Sequence, residues 1–154
     1  MNDIKLLVDT LKQSAVRITP QRLAIYKLLV ESEEHPTASV IYEQIRTQYP
    51  SISLMTVYNT LETLVHLGLV NSLGSIGDDT VHYDGNISSH INLACITCHK
   101  IVDINLPENK SLENRVSIAS GFQLIGARMM YYGFCPDCQK QTDITNKKEY
   151  VKWK

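Results

Sequence analysis

The chain has 154 residues, of which 44% are hydrophobic and 20% are charged, and its formal net charge is −1. This composition suits one or two small folded domains, and it excludes a strongly basic protein that binds nucleic acid through its overall charge. No apolar run approaches the ~20 residues of a membrane span and no signal-peptide pattern opens the sequence, so we expect a cytoplasmic protein.

Three short helices are predicted in the first fifty residues. The first has an apolar stripe formed by Ile4, Leu7, Val8 and Leu11. Thr19 suits the N-cap of the second helix, and Pro20 suits its first position. Its apolar stripe consists of Leu23, Tyr26, Leu29 and Val30. The third helix is expected to begin at Thr37 or Ala38 and to end near Tyr49, which precedes a proline. Its buried face would consist of Val40, Ile41 and Ile45.

A fourth helix and a β-hairpin are predicted next. Ser53 can cap this helix, and Gly68 is placed to end it. Its apolar stripe consists of Val57, Leu61, Leu64 and Val65. Two strands, at 69–73 and 80–84, flank a turn-rich segment. Helices followed by such a hairpin form a winged helix, in which the last helix enters the DNA major groove and the hairpin contacts phosphates.

The polar face of the fourth helix carries side chains that can contact DNA. Asparagine can pair with adenine through two hydrogen bonds, which favours an A·T-rich site. Short polar residues can also merely face solvent on a surface helix, but the wing and two nearby arginines favour DNA binding. The candidate DNA-binding residues are Arg17, Arg22, Thr56, Tyr58, Asn59 and Thr60.

The four cysteines of the chain form two C-x-x-C pairs, Cys95 with Cys98 and Cys135 with Cys138. Each pair can turn two sulfurs toward one ion, so the spacing predicts a closed, tetrahedral zinc site with a structural role. Two disulfides or one redox-active thiol pair are the alternatives. Disulfides would require an oxidising compartment.

The second half of the chain is predicted to form a separate α/β domain. Its predicted elements are strands at 91–94 and 101–106, a helix at 111–120 and a strand at 122–134. A domain of about 50 residues has a marginal core, so we expect zinc and dimerisation to stabilise it.

The predicted fold class is therefore α+β with four segments. They are a winged-helix DNA-binding domain at 1–84, a polar hinge at 85–90, a zinc-bearing dimerisation domain at 91–140 and a loose polar tail at 141–154.

Several motifs occur in the order in which the ferric uptake regulator family carries them, and over residues 10–140 the chain resembles that family. They are RITPQR at 17–22, HPTA at 35–38, TVYN at 56–59, His90 ahead of the first cysteine pair, and KIVD at 100–103. The resemblance implies a dimeric, metal-responsive repressor that is not an enzyme. Asn59 stands where peroxide regulators of the family tend to carry asparagine and iron regulators carry arginine.

The resemblance also implies a regulatory site for Fe(II) or Mn(II), built from three histidines and two aspartates. Four of the five positions are matched by His35, Asp84, His90 and Asp103. Imidazole and carboxylate ligands suit these ions. Asn92 stands where the fifth ligand is usually histidine, and a neutral amide oxygen is a weaker ligand. His82 lies two residues before Asp84 on one strand face and is an alternative fifth ligand.

The combined expectation is a homodimeric repressor that binds A·T-rich palindromic operators when its regulatory metal is bound. If that metal is Fe(II), the resemblance implies that peroxide oxidises His35 or His90 and releases the DNA. One alternative is an iron- or manganese-uptake regulator that ignores peroxide because of Asn92. Other classes are a thiol redox protein, which would use an exposed C-x-x-C pair, and a zinc-stabilised interaction module without affinity for DNA.

Overall fold

The computed structural model describes residues 2–105 and 110–141. The chain forms two compact units, Met1–Ser88 and Ser89–Lys154, and their boundary falls inside the segment predicted as a hinge. Residues 142–154 of the predicted tail lie outside the described residues. Within the described ranges, no helix is long and apolar enough to cross a bilayer.

The second helix begins where its predicted cap places it. Helix α1 spans Asn2–Gln13 and helix α2 spans Pro20–Glu31. The hydroxyl of Thr19 accepts a hydrogen bond from the amide of Arg22 at 3.2 Å. Proline suits the first helical position because the N–H that it lacks would have no partner within the helix there. The stripe of α2 was predicted incompletely, because Ile25 is fully buried.

Helix α3 is shorter than predicted and buries a different face. It spans Ala38–Ile45. The amides of Gln48 and Tyr49 both donate to the carbonyl of Ile45, so a turn replaces the final stretch of the predicted helix. Val40 is 43% exposed, so its predicted burial was wrong. The buried positions lie on one helical face and are Ala38, Ile41 and Ile45.

Helix α4 spans Leu54–His66, and both of its ends follow the prediction. The hydroxyl of Ser53 accepts from the amide of Thr56 at 3.1 Å. Gly68 has a φ of +69°, which glycine adopts at little cost. The amides of Gly68 and Leu69 donate back to the last turn at 3.0 and 2.9 Å and complete a Schellman motif.

One apolar core holds these four helices together. Burial of a large aliphatic side chain stabilises a fold by about 1.5–3 kcal/mol, so this core is the main source of stability in the first unit. Its fully buried side chains are Leu7, Leu11, Ile25, Leu29, Ile41, Val57, Leu61, Leu64 and Val70.

The predicted hairpin is present with shorter strands. Strand β1 spans Asn71–Gly74 and pairs antiparallel with β2, His82–Asp84. On its other side, β2 contacts the segment that precedes α3. The amide of Tyr83 donates to the carbonyl of Pro36 at 3.1 Å, and Thr37 bridges to β2. The wing therefore lies beside the segment that contains His35.

Gly85 packs directly on the backbone of α2. A Cβ atom at this position would lie 2.5 Å from the carbonyl oxygen of Leu29 and 2.8 Å from the amide nitrogen of Val30. We expect Gly85→Ala to destabilise the first unit by about 1–3 kcal/mol, because helix backbone cannot move aside as a side chain can. Urea unfolding followed by circular dichroism measures this change.

Gly126→Ala is the matched control for that prediction. A Cβ atom at Gly126 meets nothing within 4 Å, so this variant should unfold at the same urea concentration as the native protein. Equal midpoints for the Gly85 and Gly126 variants would contradict the predicted clash.

The second unit is built on a three-stranded sheet with the order β4-β3-β5. Strand β3 is antiparallel to β4 and parallel to β5. The bounds are Ile91–Cys95 for β3, Ile101–Ile104 for β4, Lys110–Ser120 for helix α5, Met129–Gly133 for β5 and Pro136–Gln141 for helix α6. The predicted strand at 122–134 was too long, because residues 121–128 form no regular element. Helix α6 was not predicted.

Candidate metal centres and DNA-facing helix

The two cysteine pairs lie together in the second unit. The four sulfur atoms are all within 4.8 Å of one another, and the sulfurs of Cys98 and Cys135 are 3.7 Å apart. Zinc–sulfur bonds of about 2.3 Å in a tetrahedron place sulfurs about 3.8 Å apart, so the cluster fits zinc. All four cysteines are free thiols, which is contrary to the disulfide alternative.

Backbone amides converge on the sulfur of Cys95. The amide of Cys135 donates to it at 3.3 Å. Burial alone raises the pKa of this thiol, but the amide donors outweigh burial and lower its pKa to about 6. The pKa of Cys138 rises to about 12, first through its hydrogen bond with Cys135. Four thiolates this close together therefore need a divalent cation to ionise as a set.

A buried histidine–aspartate pair lies in the first unit. The Nε2 atom of His35 is 3.9 Å from the Oδ1 atom of Asp84. The same carboxylate oxygen accepts from the amide of Asn86 at 2.7 Å, which fixes its orientation. The histidine–aspartate distance is too long for a hydrogen bond, but two atoms bound to one ion at about 2.1 Å each can lie this far apart.

A second histidine–aspartate pair lies in the second unit. The Nε2 atom of His90 is 3.6 Å from the Oδ1 atom of Asp103, whose side chain is 29% exposed. The two residues are brought together by β3 and β4, because Asn92 on β3 is directly opposite Asp103 on β4. Both pairs thus consist of the ligand types that the sequence predicted.

Asn92 is buried beside His90. Its Nδ2 atom lies 3.0 Å from the Nε2 atom of the histidine. Its Oδ1 atom is buried and has no hydrogen-bond partner among the residues described. A buried amide oxygen without a partner is costly, and rotation of the amide would place this oxygen where Nδ2 now lies, 3.0 Å from His90 Nε2. Asn92 can therefore offer an oxygen to a cation there.

His82 is not available as a metal ligand, contrary to the alternative raised by its position. Its Nδ1 atom is 2.8 Å from the carbonyl oxygen of His35, and its Nε2 atom is 2.7 Å from the Oδ2 atom of Asp78. Both ring nitrogens are therefore engaged. Burial alone raises the pKa of Asp78, but hydrogen bonds from His82 and Thr80 outweigh burial and hold this pKa well below its ordinary value.

Helix α4 exposes only part of the predicted DNA-facing set. Tyr58 is 45% exposed, Asn59 is exposed and Thr56 is half-buried. Thr60 is 2% exposed, so its prediction as a DNA contact was wrong. It lies three residues after Val57 and shares the core-facing stripe.

The two predicted arginines are linked at the start of α2. Arg17 is exposed and Arg22 is half-buried. The Nη1 atom of Arg22 donates to the carbonyl oxygen of Arg17 at 2.5 Å. Met55, which is 64% exposed at the start of α4, was missed as a surface residue that could contact thymine methyl groups. Its position outside the apolar stripe was the signal.

Comparisons with known proteins agree with this architecture. The ferric uptake regulator family model matches residues 13–132. The peroxide-responsive repressor PerR of Staphylococcus aureus is 38% identical over 132 residues, which cover 86% of this chain and 88% of PerR. The Campylobacter jejuni peroxide stress regulator aligns with a TM-score of 0.69 and 29% identity, covering 88% and 98% of the two chains. The Helicobacter pylori ferric uptake regulator shares the fold with a TM-score of 0.75 at 23% identity, covering 90% and 92%.

Proposed function

This chain belongs to the ferric uptake regulator family, and we propose that it is a metal-dependent, dimeric repressor of the cytoplasm that senses peroxide. The family and the similarity to PerR support metal-responsive regulation of transcription. The observation that carries the finer proposal is the presence of two histidine–aspartate pairs, His35 with Asp84 and His90 with Asp103. Imidazole and carboxylate are the ligands that suit Fe(II) and Mn(II).

We propose that one regulatory ion is bound by all four of these side chains. When bound, Fe(II) supplies the reducing power for reaction with peroxide. Because two ligands come from each unit, an ion that all four share would fix the angle between the units. In a dimer, that angle would set the separation of the two α4 helices, and DNA half-sites accept only certain separations.

Asn92 decides how strongly peroxide is sensed. Its Oδ1 atom, which has no hydrogen-bond partner among the described residues, supports a role as a fifth, weak ligand beside His90. An amide oxygen donates less electron density than imidazole, so the site would bind Fe(II) less tightly than a site with a third histidine. This residue also favours the second candidate function, an iron- or manganese-uptake regulator that is insensitive to peroxide.

Oxidation of a ligand histidine separates these two functions. After peroxide treatment of the Fe(II)-loaded protein, we expect mass spectrometry to find one added oxygen atom on His35 or His90. The Mn(II)-loaded protein should remain unmodified, because Mn(II) does not reduce peroxide under these conditions. Asn92→His should be oxidised faster than the native protein.

The other histidines are the control for this prediction. The exposed His66, for example, should gain no oxygen atom. If the native protein resists oxidation in both metal forms while Asn92→His is oxidised with Fe(II), the result favours the function of an uptake regulator over that of a peroxide sensor. Oxidation to the same extent with both metals would contradict chemistry at the regulatory site.

We propose that the four cysteines hold a structural zinc ion. The fit of the sulfur distances and the low pKa of Cys95 support a metal-bound cluster. A low thiol pKa would also suit a redox nucleophile, but Cys95 is only 4% exposed and its sulfur already accepts from the backbone. A buried, hydrogen-bonded sulfur is poorly placed to attack a substrate.

We propose that the second unit forms the dimer and that α4 reads an A·T-rich palindromic operator. An exposed apolar surface on the second unit supports dimerisation, because a monomeric protein rarely leaves so many large apolar groups in water. Its most exposed members are Ile118, Phe122, Ile125 and Tyr131. Arg17, Tyr58 and Asn59 are exposed candidates for DNA contacts, and Arg22 and Thr56 are half-buried candidates.

A further inference from the structure

A hydrogen-bonded connection runs from the wing loop to the backbone of His35. His82 lies in the middle of it and is 8% exposed. Its Nε2 atom bonds the carboxylate of Asp78 at 2.7 Å, and its Nδ1 atom bonds the carbonyl oxygen of His35 at 2.8 Å. The two ring nitrogens of His82 thus join a carboxylate of the wing loop to the backbone carbonyl of His35.

At the wing end, Asp78 organises the loop between β1 and β2. The hydroxyl of Thr80 donates to its Oδ2 atom at 2.8 Å, and the amide of Thr80 donates to its Oδ1 atom at 3.3 Å. The carboxylate thus joins the loop backbone to the buried imidazole. A change in the position of His82 would therefore alter the conformation of the loop.

At the other end, His82 is hydrogen-bonded to the peptide group that joins His35 to Pro36. The next residues are also fixed to β2, since the carbonyl of Pro36 accepts from the amide of Tyr83 at 3.1 Å. Movement of the His35 side chain toward an ion would rotate this peptide group. Because the carbonyl oxygen of His35 is hydrogen-bonded to His82, the rotation would also move the imidazole of His82. The contact is direct and buried.

We propose that His82 is a positioning residue that couples occupancy of the regulatory site at His35 to the conformation of the wing through Asp78. This inference rests on the proposed function, because it takes His35 as a metal ligand and the wing as a DNA contact. Coupling between two sites is reciprocal. If the connection holds His35 in the position that binds metal, breaking it at the wing should weaken metal binding, although Asp78 is not a ligand.

The test measures Mn(II) affinity in the zinc-loaded, DNA-free protein by calorimetry. Asp78→Ala should raise the Mn(II) dissociation constant about fivefold, at the lower end of typical coupling between sites. The metal-dependent gain in operator affinity should shrink by the same factor. Asp78→Asn keeps the side-chain volume and a neutral hydrogen-bond acceptor, so it should cause a smaller loss of Mn(II) affinity. This variant replaces Asp78→Ala in the test if the alanine variant folds poorly.

Asp79→Asn is the matched control. It removes the same charge from the same loop at an exposed residue with a φ of +57°, a conformation that asparagine tolerates. Its Mn(II) affinity should equal that of the native protein. A purely structural role for Asp78 would lower the urea midpoint without changing Mn(II) affinity, and that result would overturn the coupling.

The failures of the two proposals are distinguishable. If the native protein binds Mn(II) with the predicted ligands but both Asp78 variants bind it equally well, only the coupling through His82 is wrong. If the native protein binds no Mn(II) beyond the zinc cluster, the proposed regulatory site is wrong and the coupling is overturned with it.

Discussion

Removal of zinc from the four-cysteine cluster is expected to unfold the second unit and to leave the first unit folded. The two units differ sharply in their cores. Among the residues that the structure describes, the buried apolar side chains of the second unit are Ala94, Cys95, Ile101 and Cys138. Two of the four are cysteines of the cluster, so the metal site is itself a large part of this core. A sheet of three short strands has little else to stabilise it.

The expected loss is large, because structural zinc contributes about 10–16 kcal/mol of apparent binding free energy in small zinc domains. Cys95→Ser and Cys138→Ser should each abolish the fold of the second unit. Circular dichroism before and after chelation would show loss of part of the ordered structure, and added zinc should restore it. The helices of the first unit should persist, since their core contains none of the cysteines.

Thiol reactivity checks the same prediction independently. In the zinc-loaded protein all four thiols should react slowly with a thiol reagent, and chelation should make all four reactive. A rapidly reacting pair in the native, zinc-loaded state would instead support the thiol redox protein. An unchanged spectrum after complete zinc removal would contradict a structural role.

The second large effect is expected at the two histidine–aspartate pairs. His35→Ala and His90→Ala should each weaken Mn(II) binding by at least about 100-fold, since loss of a group that only supports a ligand already costs 10–100-fold. If one ion needs both pairs, the losses in the double variant should not add, because the two substitutions act on the same site.

His66→Ala is the control, because His66 is exposed at the end of α4 and belongs to neither pair. Its Mn(II) affinity should be unchanged. Two independent Mn(II) ions, one lost in each single variant while the other keeps its native affinity, would contradict a shared site. Calorimetry of the zinc-loaded protein gives both the stoichiometry and the affinities.

Local signals made much of the fold predictable. The caps at Thr19 and Ser53 and the glycine stop at Gly68 depend on residues five or fewer positions apart. Each cysteine pair is equally local. The clustering of the two pairs can be predicted from the tetrahedral geometry of zinc without knowing the strand order. Such features persist because backbone geometry alone requires them.

The failures came where a side chain lies at the border of two environments. Val40 and Thr60 are at the edges of helical stripes, where one position of rotation decides between core and solvent. His82 shares a strand face with Asp84, but its direction is set by Asp78 in a loop that no periodicity describes. The strand predicted at 122–134 was limited by pairing with β3, which is a tertiary contact.

Operator affinity with and without Mn(II), measured at fixed salt on the zinc-loaded protein, tests the proposed regulation most directly. Mn(II) should tighten binding to an A·T-rich palindrome at least about tenfold, since linkage requires metal to favour the DNA-competent form. His90→Ala should abolish that gain and leave the metal-free affinity unchanged. Equal operator affinity with and without Mn(II) in the native protein would contradict metal-dependent repression.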